Sequence, residues 1–361
     1  MALRVLITHE RFPPDFGGGG EYIVLRTAQG LLARGVDVRV LTTGAPELTA
    51  FGGVPTERLA TSRYGFNLRA RAIARAARQA DLVHTFTYHA CLPSLLAARL
   101  TGKPVLCGML ALFGPAWRAM RGPVAGRALQ ALEHVMVTRR YDRTLFLSAP
   151  SRQQAIRLGA PADRALVLQP GIDHARLPQP DRSSPIVLFS GKMETRKGIE
   201  HVFNAARALP HIPFVATGWA TDMAALRRTA PPNLELVESE GDDRFLAYLR
   251  RAAIFFFPSY SETFGIVVAE AMAAGAAVVS SIDTINFAGA QVAPGDEPAM
   301  IAAIRALWDS PEQLRAAGAA NVLLARAFTW EAHTERLLGI YDDVLASRPA
   351  TPGSATHDLA T

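Results

Sequence analysis

Four consecutive apolar residues, Ile254–Phe257, leave a strand with no side for water. Ile186–Phe189 is built the same way. A strand with one wet face alternates polar and apolar residues; a run without alternation belongs to a parallel sheet covered on both faces. Such runs recur along the chain and are separated by helix-length segments. Arg4–Thr8, Val36–Thr42, Asp81–Thr85, Pro104–Cys107, Thr144–Ser148 and Ala165–Leu168 form a first series. Ile186–Phe189, Pro213–Ala216, Leu234–Val237, Ile254–Phe257 and Ala276–Ser280 form a second. Helical periodicity predicts helices over Glu21–Arg34, stopped by Gly35, and over Leu68–Gln79, Pro93–Leu100, Leu129–Val137, Ile199–Leu209 and Gly265–Ala274. Strand and helix in alternation make an α/β class. The Pro-rich stretch Leu177–Pro185 divides the two series and reads as a linker. The expectation is two doubly wound, parallel-sheet domains, 1–176 and 185–327, with a disordered tail at 348–361.

Length and composition agree: 361 residues suit two cores better than one, and 49% hydrophobic with 19% charged residues is the composition of a chain that folds. The formal charge is +6, which admits nucleic acid, an anionic membrane or a phosphorylated substrate as partner. All but three of the 38 basic residues are Arg, and Ala is abundant, so a GC-rich genome explains much of that charge. The exceptions are Lys103, Lys192 and Lys197. Two cysteines, Cys91 and Cys107, make no disulfide framework and fit a reducing cytoplasm. The start, MALRVLITHE, runs directly into a strand and shows no signal peptide, and Leu82–Ala98, the longest stretch without a charged residue, carries histidines and a proline and is not read as a membrane span. Nucleic acid is disfavoured as partner, since no binding motif is visible and aromatics are 8%.

Three loops at the carboxyl ends of strands, where open α/β sheets bind ligands, carry unusual residues. The first is FPPDFGGGGE, residues 12–21. Its glycines remove side chains where a helix begins, which lets an anion or a sugar approach the backbone; a flexible surface loop is the other reading. It is neither a dinucleotide fingerprint nor a Walker A loop. The second is Gly191–Gly198, GKMETRKG. Lys192, Arg196 and Lys197 make it an anion site or a solvated charged turn.

The third is PSYSETFGIVVAEAMAAG, residues 258–275. Glu262 falls in the loop, and Glu270 sits on a helix with almost nothing else polar. Negative charge is stabilised near Thr263, Phe264 and Gly265, at the helix N-terminus. A carboxylate in apolar surroundings requires a partner. The two oxygens of Glu270 match the neighbouring hydroxyls of a ribose; a buried ion pair with an arginine is the alternative.

Glu262, seven residues, then Glu270, inside SETFGIVVAEAMAAGAAVVSS, resembles the Glu–seven–Glu signature of retaining glycosyltransferases of family four. FPPDFGGGGE is similar to that family's N-terminal glycine loop, GKMETRKG to its basic Lys–Gly loop, QPGID to its interdomain segment, and FTWEAHTERLLGIYDDVL to its last helix, which returns to the first domain. The likeness runs over residues 3–345. It implies the GT-B fold and transfer of a sugar from a UDP- or GDP-sugar, with retention and with neither metal nor other cofactor. Carried over by position, Glu270 holds the ribose and Glu262 the donor sugar, with Thr263, Phe264 and Gly265 beside it. Lys192 and Lys197 neutralise the diphosphate, Gly18, Gly19 and Gly20 approach from the other domain, and Gly218 and the stretch 237–241 lie near the base. Lysines and amides at the diphosphate stabilise charge that grows in the transition state. Asp242–Asp243, adjacent after Gly241, read as a solvated turn and not as a metal motif.

Two departures qualify this. Leu110 and Phe86 stand at two positions where the family carries His; His84 or His89 could substitute, though a lone histidine near a strand end is more often structural. The acceptor is left open among a glycolipid, a polysaccharide and a small secondary metabolite. Two other readings stand beside transfer: a catalytically impaired GT-B protein that only binds nucleotide sugar, and a basic protein of the membrane surface. The segments Leu68–Arg78 and Trp117–Arg143, rich in Arg with Ala, Leu and Val between, suit either a peripheral contact with the anionic inner face of a membrane or an ordinary wet face.

Overall fold

The computed structural model describes residues 2–15, 18–238 and 242–347; Gly17, the end of the stretch 237–241 and the tail 348–361 lie outside the described residues. Two sheets carry the fold. The first contains β1 (Arg4–Thr8), β2 (Asp37–Thr43), β3 (Ala50–Phe51), β4 (Val54–Leu59), β5 (Leu82–Phe86), β6 (Val105–Met109), β7 (Arg143–Phe146) and β8 (Ala165–Val167), in the order β3-β4-β2-β1-β5-β6-β7-β8. Every pairing in it is parallel except β3 with β4. The second contains β9 (Ile186–Ser190), β10 (Phe214–Gly218), β11 (Leu234–Glu238), β12 (Ala252–Phe257), β13 (Ala277–Ser280) and β14 (Gly289–Gln291), ordered β11-β10-β9-β12-β13-β14 and wholly parallel.

The apolar runs behave as expected: all six residues of β12 and all five of β9 are buried. Each phenylalanine so buried contributes on the order of 2 kcal/mol. Strand order reverses at β1/β5 in the first sheet and at β9/β12 in the second. Those switch points are where doubly wound sheets open a crevice for ligand. The loops Gly191–Gly198 and Pro258–Gly265 leave from β9 and β12, side by side. The glycine loop leaves from β1.

Helix boundaries differ locally. The stretch Leu68–Gln79 is a 3-10 turn, Gly65–Leu68, followed by a helix Ala70–Ala77. The helix expected over Leu129–Val137 reaches back to Pro123, whose fixed φ suits a first turn. The helix carrying Glu270 spans Ile266–Ala273, because Gly265 stands at φ +93° and cannot be its first turn. Helices outside the spans predicted from sequence include Ala116–Arg121, Ala149–Arg157, Glu297–Trp308 and Pro311–Ala325.

The chain crosses between the sheets twice. The outward crossing follows β8. The return ends in helix Trp330–Ala346, whose Leu337, Ile340, Tyr341 and Val344 enter the core of the first sheet. The two crossings meet at a backbone bridge between Ile172 and Thr329. Among the described residues, no helix is long and apolar enough to cross a membrane.

Candidate active site

The site is built from loops of both sheets. Four contacts bring them together. The Thr263 hydroxyl donates to the Leu110 carbonyl at 2.8 Å, and the Ser151 hydroxyl to the Thr263 carbonyl at 3.1 Å. The guanidinium of Arg196 lies 5.2 Å from the centre of the Phe113 ring. A Cβ placed on Gly19 would come within 3.7 Å of Ile266 Cδ1. The Thr263 hydroxyl is thus engaged by the opposite domain.

Helix Ile266–Ala273 buries Val268, Ala269, Ala271 and Met272. Its half-buried residues, Ile266, Val267, Glu270 and Ala273, recur every three or four positions and form one face. Since Ile266 meets the N-terminal glycines, Glu270 lies one turn further along that cleft-side face. Phe264 is buried against Phe328, 5.3 Å between ring centres; only its backbone is left to meet a ligand. Gly18 precedes the helix Gly19–Ala33 at φ +147°. A Cβ on Gly20 would lie 3.4 Å from Leu110 Cδ1. Gly218 ends β10 at φ +140°, where any side chain would strike the Gly191 carbonyl. Strand packing therefore requires glycine at 218 whatever the loop binds.

The basic loop is a chain of ion pairs. Lys197 is paired with Glu262, which also accepts from the Ser259 hydroxyl at 3.1 Å. Lys192 lies 2.5 Å from Glu194. Arg196 stands between the two carboxylates, 3.1 Å from Glu194 and 4.0 Å from Glu262. Burial raises the Glu194 carboxyl, but hydrogen bonds and charge from Lys192 and Arg196 outweigh it and hold the group below the usual carboxylate range.

The opposing wall depends on residues that sequence reading passed over. Glu133 is buried and accepts four donors: the amides of Phe113 (2.8 Å) and Gly114 (2.6 Å), Trp117 Nε1 (3.0 Å) and the Tyr88 hydroxyl (2.8 Å). It shapes the loop that presents Leu110 and Phe113. Its signal was its isolation, as the first acid after Asp81. Glu10 is also buried and accepts from the amides of Tyr88 (3.1 Å) and His89 (3.2 Å). Burial raises its carboxyl, yet the charge of His9, the Tyr88 amide, its own backbone amide and the charge of His89 hold it below its ordinary value. Arg58 is buried and donates to the carbonyls of Leu48 (3.2 Å), Phe12 (3.3 Å), Thr43 (3.4 Å) and Pro13, anchoring the start of the glycine loop.

Neither substitute histidine reaches the cleft as a free base. His84 lies in the core, 2.6 Å from the Tyr341 hydroxyl. His89 is buried and shares a hydrogen bond of 2.9 Å with Asn67.

Comparisons with known proteins agree with the two-sheet fold. Residues 17–176 match the family model described as Glycosyltransferase Family 4, and residues 184–310 the one described as Glycosyl transferases group 1. D-inositol 3-phosphate glycosyltransferase 1 of Catenulispora acidiphila is 28% identical over 370 residues, covering 89% of this chain and 84% of that protein. Alpha-maltose-1-phosphate synthase of Mycolicibacterium smegmatis is 26% identical over 391 residues, covering 95% and 100%. Among solved structures, sucrose-phosphate synthase from Thermosynechococcus elongatus superposes with a TM-score of 0.82 at 18% identity, covering 96% of this chain and 100% of that one. Anabaena HepE, solved with UDP and glucose, gives 0.76 at 14% identity, covering 94% and 100%.

Proposed function

This chain belongs to the family-four, group 1 glycosyltransferases and has the GT-B fold, and from that premise we propose that it transfers a sugar from a nucleoside diphosphate donor with retention of configuration. The observation that carries the reading is the convergence on one cleft of Glu270, Glu262 with Lys197, and the N-terminal glycines. Glu270 would accept both ribose hydroxyls. Glu262, fixed by Lys197 and Ser259, would accept from a sugar hydroxyl, and the backbone of Phe264 and Gly265 would lie beside it. Lys192, Lys197 and Arg196 would gather at the diphosphate. As the glycosidic bond breaks, that group accumulates charge, and cations held in place stabilise it more than they stabilise the bound donor. Three cations in one loop supply the neutralisation for which a divalent metal would otherwise serve. The leaving phosphate would take the acceptor's proton on the face it vacates, so a dedicated base is not required. Leu110 contributes no proton acceptor and gives the cleft an apolar wall there. A protein of this fold solved with UDP and glucose accords with a nucleoside diphosphate donor, UDP- or GDP-linked.

The test is thermal stabilisation by UDP, GDP, ADP and dTDP, with Glu270→Ala alongside. A nucleotide at a hundred times its dissociation constant stabilises the wild type by about 2.7 kcal/mol, and the variant is expected to lose most of that. Equal stabilisation of both proteins would remove Glu270 from the ribose, and no stabilisation by any nucleotide would count against the donor reading as a whole.

A peripheral contact with anionic membrane belongs to the same proposal. Between Glu57 and Glu133 the only acid is Asp81. Arg71 and Arg75 on the helix Ala70–Ala77, and Arg78 just past its end, are exposed, with Leu68, Leu96 and Leu100 exposed on the same domain. Such a surface suits a glycolipid acceptor. Liposomes with acidic headgroups are expected to carry the protein on flotation at low salt and release it at high salt; absence of binding at low salt would end the idea.

A further inference from the structure

The diphosphate reading of Gly191–Gly198 gives Glu194 no part, although Glu194 stands among the cations. Its carboxylate is 2.5 Å from Lys192 Nζ and 3.1 Å from an Arg196 terminal nitrogen, and it accepts from Arg196 Nε at 3.2 Å. Lys192 is steadied on another side by the Trp219 ring, 4.8 Å from its centre. The turn itself does not need the carboxylate. Its backbone is closed by the Met193 amide on Trp219 (2.9 Å), the Lys197 amide on Glu194 (2.9 Å) and the Gly198 amide on Thr195 (2.9 Å). A negative side chain therefore occupies the place in the loop where an anionic ligand would be met.

We infer that Glu194 is a resident counter-ion of this anion site. Binding is then an exchange: the diphosphate takes Lys192 and Arg196 as the Glu194 carboxylate swings away, with no net loss of paired charge. The same exchange runs in reverse after transfer. The returning carboxylate competes for both cations and helps the nucleoside diphosphate leave. Glu194 thus weakens binding, which shortens the residence of product. The inference rests on the proposed diphosphate site.

The experiment is calorimetric titration of the full chain with inorganic pyrophosphate and with UDP, GDP, ADP and dTDP, for wild type, Glu194→Gln and Glu194→Ala. Glu194→Gln keeps the shape and an acceptor for Arg196 but removes the charge. It is expected to tighten pyrophosphate about fivefold, a modest gain because these side chains are partly exposed and solvent screens the pair. Glu194→Ala should tighten it in the same direction, and both gains should shrink as salt is raised. Weaker or unchanged binding in both variants would overturn the proposal, since Glu194 would then be positioning the cations or standing aside. Tightened pyrophosphate with no binding of UDP, GDP, ADP or dTDP would uphold the counter-ion and sink the nucleotide reading. No pyrophosphate binding by any of the three proteins would overturn the counter-ion itself.

Discussion

Glu133→Ala is expected to lower the unfolding free energy by about 4 kcal/mol, because it strands four donors at once. Two of these are backbone amides of the Phe113–Gly114 turn, and the others are Trp117 Nε1 and the Tyr88 hydroxyl. Each unpaired buried donor costs about 1 kcal/mol or more, and water entering the vacated space recovers part of that. Glu133→Gln should lose about half as much, since it keeps one carbonyl oxygen for the donors but turns an amide group toward others. Urea denaturation measures both. The effect on function should exceed that on stability at moderate temperature, because this carboxylate holds the turn that faces Arg196. A loss under about 1 kcal/mol for the alanine variant would show that the turn stands without it.

Acid is expected to remove a comparable amount. His84 and His333 are nearly fully buried, and burial pulls them down from 6.5 to about 3 and about 4. Both attach the last helix to the first domain: His84 bonds Tyr341, and His333 bonds Thr27 at 3.1 Å and the Gln169 carbonyl at 2.8 Å. The sign follows from proton uptake. Below pH 6.5 the unfolded chain binds a proton at each imidazole, while the folded protein does not until about pH 4 or 3. Stability from these groups is therefore complete above pH 6.5 and is lost as pH falls. At 1.36 kcal/mol per unit, each histidine removes about 2 kcal/mol by pH 5. The measurement is the denaturation free energy between pH 7 and pH 5. In a His84→Phe, His333→Gln double variant the decline should flatten, even though the starting stability is lower. An equally steep decline in the variant would assign the acid sensitivity to other groups.

Much of this architecture could be read from the chain. Ile186–Phe189 and Ile254–Phe257 have no polar side, as buried parallel strands require, and Lys192, Lys197 and Glu262 follow them closely enough to sit at strand ends. Residues whose meaning is set by distant partners could not be read so. Glu133 gathers donors from a different turn, and Thr263 spends its hydroxyl on a carbonyl more than a hundred residues away. Some signals were present and passed over. Ser310–Pro311–Glu312–Gln313 is a helix start whose serine caps the Gln313 amide. In Val54–Leu59, burial alternates and places Arg58 on the inward register, which marks an arginine with structural duty.

The bridge between Ile172 and Thr329 has a mechanical consequence. Two separate connectors would let the lobes twist as well as swing, whereas these are laced side by side into a single ribbon. The molecule is bound like a book along one spine. Across from that spine, the Thr263 hydroxyl of one page holds the Leu110 carbonyl of the other.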